Sequence, residues 1–224
     1  MIVVFTSCSA RKDDSVPIHE GSRIVQPQYY LDNKDLVLRL QNIRDNIFKD
    51  PRASLGTRTT YAFDLYVKAG NAYKDLKKGS YQGIKSKLAS GELEWFFLSG
   101  GYGVIHAFEP ARKYHATFSK SIAYQNRILF TAKLWGNTLT EICDAIVAKA
   151  HPEHVYVFGS QDYTGFVKRA DFWKLENVKM FESTGSSGPF WLSPGIEELA
   201  SAFLTNKLTQ YNEKFPRFVK QEQS

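Results

Sequence analysis

Ile2-Val3-Val4-Phe5 runs without a break into Thr6-Ser7-Cys8-Ser9-Ala10-Arg11-Lys12: apolar residues, then small polar ones, then two cations. The same change of character recurs down the chain. Trp95-Phe96-Phe97-Leu98 leads to Ser99-Gly100-Gly101-Tyr102-Gly103, and Val155-Tyr156-Val157-Phe158 leads to Gly159-Ser160-Gln161-Asp162-Tyr163. A fourth run, Val178-Lys179-Met180-Phe181, reaches Ser183-Thr184-Gly185-Ser186-Ser187-Gly188 less cleanly. Continuous apolar runs of this length fit strands buried on both faces. Helical patterns lie between them, so the expected fold is α/β, with a mostly parallel central sheet and helices on both faces. Ligands of such sheets bind outside the carboxyl ends of the strands. The four clusters are therefore expected to meet along one rim.

Helical spacing is clearest over 31–48, closed by Pro51, and over 60–76. A strong amphipathic pattern covers 123–150, with a break expected at Gly136-Asn137. A last helix is expected over 194–208, with Pro194 in its first turn and Glu197-Glu198 complementing its dipole. Segments 13–30 and 102–119 read as long loops. The chain is expected to form one α/β domain over residues 1–209, followed by a polar, basic C-terminal tail over 210–224 that frays.

The 224 residues are 43% hydrophobic and 23% charged, the balance of a soluble globular protein, and they carry a net charge of +6. That excess favours an anionic partner, because Lys and Arg neutralise phosphates and release condensed counterions. Aromatic residues make up 14% of the chain, enough to build a core and also to offer ring faces to bases. Cys8 and Cys143 cannot form a disulfide framework. No apolar stretch has the length of a membrane span and no leader pattern opens the chain, so a cytoplasmic protein without a membrane partner is expected. The five histidines lack metal-ligand spacing. Neither a metal nor any other cofactor is expected.

Each loop offers particular chemistry. Ser7, Cys8 and Ser9 let a ligand approach the backbone, while Arg11 and Lys12 suit phosphate. A catalytic cysteine needs a base beside it, and the sequence places none next to Cys8. Ser99, Gly100 and Gly101 permit close approach, and Tyr102 offers a ring to a planar ligand. The spacing is not that of a dinucleotide fingerprint. Asp162, beside Ser160 and Tyr163, fits two roles equally: a base that polarises water, or a helix cap. Glu109 is a second carboxylate candidate and His115 a lesser one. Ser186, in the loop ahead of Phe190 and Trp191, belongs to a lid or a phosphate-binding loop.

At these loops the chain resembles known families. Ser7-Cys8-Ser9-Ala10-Arg11-Lys12 resembles the C-S-A-[RK]-K signature of the glycosylase-like domain of archaeosine synthases. Leu98-Ser99-Gly100-Gly101-Tyr102-Gly103-Val104 is similar to the L-S-G-x-Y-G-V segment of the YaaA peroxide-stress family. Phe158-Gly159-Ser160-Gln161-Asp162-Tyr163 resembles that family's A-S-x-E-Y segment, with Asp162 as the acid. The resemblance implies a uracil-DNA-glycosylase-like fold and a nucleic-acid partner. The chain departs from both groups: it is shorter than typical YaaA proteins and lacks the transglycosylase barrel and RNA-binding module that accompany the archaeosine domain.

The expected activity is that of a DNA glycosylase excising a damaged or modified base, in repair or in defence against modified phage DNA. Its substrate would be duplex DNA with a flipped base, or single-stranded DNA. In that reading Arg11 and Lys12 hold phosphates, Tyr102 and Tyr163 stack on the base, and Asp162 or Glu109 orients water and stabilises positive charge on the sugar. Two alternatives stand beside it: a non-catalytic YaaA-like DNA-binding protein of the oxidative stress response, and a nucleoside enzyme acting on small molecules.

Overall fold

The computed structural model describes residues 1–184 and 188–221, the side chains of 188–191 and 221 apart. Its centre is a six-stranded sheet made of β1 (Ile2–Ser7), β2 (Leu93–Ser99), β3 (Gly103–His106), β4 (His154–Ser160), β5 (Val178–Ser183) and β6 (Phe218–Gln221). The spatial order is β6-β5-β4-β1-β2-β3. All neighbours are parallel except β3, which runs antiparallel to β2. The chain is thus α/β with a mixed, mostly parallel sheet.

The opening apolar run became the middle strand because it has no polar side. All six residues of β1 are buried, and Ile2, Val3 and Val4 are β-branched, which suits a pleated surface packed above and below. Alternation of side chains sorts the two faces. On one face Phe5 stacks on Phe172 at 5.7 Å between ring centroids, and Phe96 meets Tyr30 at 5.2 Å. On the other, Trp95 lies 6.0 Å from Phe63, and Phe97 lies 4.8 Å from Tyr66 and 5.9 Å from Tyr73. Thr6, on this second face, accepts a 2.8 Å hydrogen bond from the Trp95 indole, which satisfies two buried polar groups at once. Helical segments therefore cover both faces.

Several expected elements differ. The helix over 31–48 is found as Lys34–Lys49, with Asn33 capping the Leu36 N–H at 3.1 Å. The pattern over 60–76 divides into a strand, Thr59–Tyr61, a helix, Ala62–Val67, and a further turn and helix ending at Lys78. The pattern over 123–150 is not one helix. It comprises Lys120–Asn126, a short strand Leu129–Phe130, Ala132–Trp135 and Thr138–Ala150. Arg127 and Gly136 both adopt positive φ there, at 52° and 47°, and a short helix ends at each. Helical spacing persisted because each short piece buries one face of its own.

The last helix begins at Gly188, ahead of Pro194, which lies inside it. The expected tail is also corrected: Leu208–Lys214 is helical and β6 pairs with β5 at the sheet edge. Tyr211 and Phe215, four apart on an otherwise polar stretch, pack their rings against Phe181 at 6.2 and 5.3 Å. Among the described residues no helix is long and apolar enough to cross a membrane.

Candidate active site at the carboxyl rim of the sheet

From β1 the chain crosses to β2 on one side, while β4 flanks β1 on the other. Strand order therefore reverses between β1 and β4, and the crevice outside their carboxyl ends is the usual ligand position in such sheets. Two side chains bridge it. Cys8 immediately follows β1, its N–H donating to the Leu98 carbonyl of β2 at 2.7 Å. Tyr163 stands in the first turn of the helix Gln161–Val167 that follows β4. The Cys8 thiol donates to the Tyr163 hydroxyl at 3.6 Å, and that hydroxyl lies 3.3 Å from Thr117 Oγ1.

A second hydroxyl group closes the floor. Ser99, the last residue of β2, places Oγ 2.6 Å from the Tyr114 hydroxyl and accepts from the Tyr102 N–H at 3.0 Å. The Tyr66 hydroxyl, from the helix Ala62–Val67, lies 3.0 Å from that of Tyr114 and 3.3 Å from Ser99 Oγ. Gly101 permits this arrangement, because a Cβ there would come within 2.6 Å of the Tyr114 ring. Gly103 turns the chain from the rim into β3 with φ of +70°, and the Trp135 ring fills the space where its Cβ would be. The half-buried Lys12 lays its ammonium across the Tyr114 ring, 4.2 Å from the centroid, with a 3.4 Å bond to the Ala10 carbonyl.

The electrostatics follow from burial. The phenols of Tyr66, Tyr114 and Tyr163 are held well above their usual range, first by desolvation and then by nearby Cys8. They remain protonated donors. Desolvation pushes the Lys12 ammonium down, opposed by Cys8. No carboxylate is bonded to Cys8, Lys12, Tyr66, Ser99, Tyr114, Thr117 or Tyr163 among the described residues. The reactive groups at the floor are thus a thiol, an amine and phenols. Among the described residues no cluster of three His, Cys, Asp or Glu side chains is placed to hold a metal ion.

The sequence candidates divide. Ser7, Cys8, Ser9, Lys12, Ser99, Gly100, Gly101, Ser160 and Tyr163 all belong to the rim. Ser7 lends its carbonyl to the Tyr73 hydroxyl. Ser9 is buried against the turn at Gly70. The Gly100 carbonyl accepts from Thr131 Oγ1 at 2.7 Å and from the Trp135 indole at 3.2 Å. Ser160 stands at the N-cap of the rim helix without capping it through its side chain. Arg11 is exposed and makes no ion pair among the described residues. Asp162 is exposed on the same helical turn as Tyr163, and among the described residues its side chain caps no helix. Ser186 lies outside the described residues.

Two candidates are corrected. Tyr102 is not presented to a ligand. Its ring packs between Phe48 at 4.8 Å and Tyr114 at 5.3 Å, and its hydroxyl accepts from the Arg112 N–H at 2.7 Å. Glu109 is not at the rim. β3 carries the chain back along β2 until Ala107 bonds the Trp95 carbonyl, four residues below Ser99, or roughly 13 Å at strand spacing. There Glu109 is buried in an ion pair with Arg44 and accepts from the Tyr30 hydroxyl at 2.9 Å. Arg44 in turn donates to the carbonyls of Tyr102 at 2.8 Å and Val104 at 2.7 Å. This is a structural pair that fixes β3. His115 is exposed.

Sequence reading missed Tyr66, Tyr114 and Thr117. Tyr66 sat at a core position of a helical pattern. For the other two a signal was present: residues 110–140 contain Arg112, Lys113, Lys120, Arg127 and Lys133 and no Asp or Glu. Within this stretch, Ala116–Thr117 pairs with Leu129–Phe130 beside the rim, so 118–128 leaves the site and returns to it. Tyr124, on that excursion, is 88% exposed. A separate concavity of about 650 Å³ lies between the helices Gly188–Leu204 and Leu208–Lys214. Its carboxylates are already engaged, Glu197 by Ser80, Glu198 by Lys214 and Asp75 by Ser193. Compared with protein-family models and with curated proteins, the chain matches none.

Proposed function

We propose that the protein is a DNA glycosylase that removes a damaged or modified nucleobase, on a uracil-DNA-glycosylase-like variant of the α/β fold. The observation that carries this reading is the company kept at the β1–β4 crevice: buried hydrogen-bonding hydroxyls beside a stretch of 31 residues with five cations and no acid. Phosphates are drawn to Arg11, Lys120, Arg127 and Lys133, and the extruded base is received at the crevice that Cys8 and Tyr163 bridge. Hydroxyl donors that stay protonated suit the polar edge of a base. Asp162 at the mouth faces the departing sugar, where a carboxylate favours developing positive charge. The motif resemblance supports the same class.

A second reading, a DNA-binding protein without catalysis, is favoured by one feature: the floor itself contains no bonded carboxylate. Mass spectrometry of bases released from a panel of normal, damaged and hypermodified DNAs separates the two. The glycosylase reading expects one base released by the full chain, and release slowed about a hundredfold or more in Asp162→Asn. DNA binding with no base released from any member of the panel supports the second reading.

A further inference from the structure

Building on the glycosylase reading, we propose that Thr117 determines specificity, its hydroxyl donating to a carbonyl oxygen on the edge of the extruded base. The hydrogens at the crevice do not balance among themselves. The Cys8 thiol gives its proton to the Tyr163 hydroxyl oxygen, and the Phe118 N–H approaches the same oxygen. With that oxygen occupied from two sides, the 3.3 Å contact between Tyr163 and Thr117 takes its proton from Tyr163. Thr117 Oγ1 also accepts from the Ser119 N–H at 3.1 Å. A hydroxyl has two lone pairs and one proton. Both lone pairs of Thr117 are therefore filled, and its own proton has no acceptor among the described residues. Thr117 is 5% exposed, so little solvent reaches it, and a buried donor left unpaired is costly. Neighbouring buried hydroxyls are settled. Tyr66, Ser99 and Tyr114 form a closed ring of contacts, in which each gives one proton and takes one. Thr131 gives its proton to the Gly100 carbonyl, and Thr164 gives its proton to Glu182.

A donor without an acceptor beside it discriminates by a single group. A carbonyl oxygen projects from the ring edge and takes the Thr117 proton. An amino group at the same place sets hydrogen against hydrogen and leaves both unpaired. The substrate class that follows is a base with an oxo group on the edge that meets Thr117, and its amino counterpart is turned away. Tyr163 is a positioning residue here: by filling a lone pair of Thr117 it fixes where the last proton points. Cys8 does the same for Tyr163.

The test measures base release by the full chain from duplex oligonucleotides carrying matched bases that differ by one exchange of oxo for amino. The pairs are 5-hydroxyuracil against 5-hydroxycytosine and hypoxanthine against adenine, joined by any other released base of the panel with its amino-substituted analogue. Within a pair that is acted on, kcat/KM is expected to favour the oxo member by about tenfold or more. Thr117→Val, which keeps the shape without the hydroxyl, is expected to slow release of the oxo base roughly tenfold to a hundredfold and to erase the preference. Thr117→Ser, which restores the hydroxyl, is expected to restore the preference. A folding defect slows both members of a pair alike, so the ratio within the pair is what reads the role of Thr117. An amino base released as fast as its oxo partner, or a preference that survives in Thr117→Val, overturns the proposal and leaves the glycosylase standing. Release of no base from any DNA removes the glycosylase, and the proposal falls with it.

Discussion

Glu109 and Asp162 are carboxylates that follow β-strands, yet their surroundings assign them different work. Glu109 is 4% exposed and meets Arg44, the Tyr30 hydroxyl and the His106 N–H. A buried carboxylate held by three donors, one of them a guanidinium, is a poor base and a good anchor. Removing its charge leaves the buried Arg44 guanidinium without its counter-ion, a loss of about 3 kcal/mol or more. Glu109→Gln is therefore expected to lower the melting temperature by roughly 6–12 °C for a domain of this size, while base release per folded molecule at a permissive temperature stays near the wild-type rate. A variant that keeps its melting temperature but loses base release would return Glu109 to the reaction. His106 repeats the pattern: its Nδ1 accepts from the Phe108 N–H at 3.0 Å, so its Nε2 carries the proton given to Glu94 at 2.6 Å. Both ring nitrogens are spoken for, and this buried Glu–His pair braces β2 against β3.

At the scale of elements, the strands were legible and the rim was only half so. β1, β2, β4 and β5 are buried on both faces, and burial on both sides writes itself as an unbroken apolar run. β3 escaped notice because four residues, Gly103–His106, follow a glycine-rich turn and share their composition with loops. Its recognition would have moved Glu109 off the rim at once. Tyr102 was misread for a related reason: a ring that wedges a turn shut and a ring that stacks on a ligand have the same letter. The excursion 118–128 reads as part of a long amphipathic helix, but the helix stops at Arg127, and no local propensity signals that stop. Its exposed Tyr124 and the cations Lys120 and Arg127, with Lys133 just beyond it, make it the element that meets the duplex in the proposed function. Arg127→Ala is expected to leave the melting temperature within about 2 °C, weaken DNA binding uniformly across sequences, and reduce the magnitude of the salt slope by about one. Unchanged affinity and slope would place the duplex on another face.

For the whole molecule, the distribution of charge matters more than its total. The net charge is +6, and the acid-free stretch 110–140 alone carries five cations. Elsewhere acids and bases nearly cancel, so the excess positive charge is concentrated along this one stretch of the chain. Engagement of Arg11, Lys120, Arg127 and Lys133 with phosphates predicts that log K for a DNA duplex falls against log[salt] with a slope of about −3 to −4. Titrations by fluorescence anisotropy between about 50 and 300 mM salt measure it directly. A slope near zero, with small nucleosides binding well, would instead favour an enzyme of free nucleosides.

The position of β1 has one more consequence, for how the chain comes to be folded. Residues 2–7 hydrogen-bond to 93–99 on one side and to 154–160 on the other. During synthesis this uncharged segment must wait until residues 154–160 have been made before its second neighbour exists. Such long-range pairing slows folding and leaves sticky backbone uncovered in the interval. The strand that leads to Cys8 is thus, while its neighbours are missing, an aggregation-prone piece, and chaperone dependence should centre on residues 2–7.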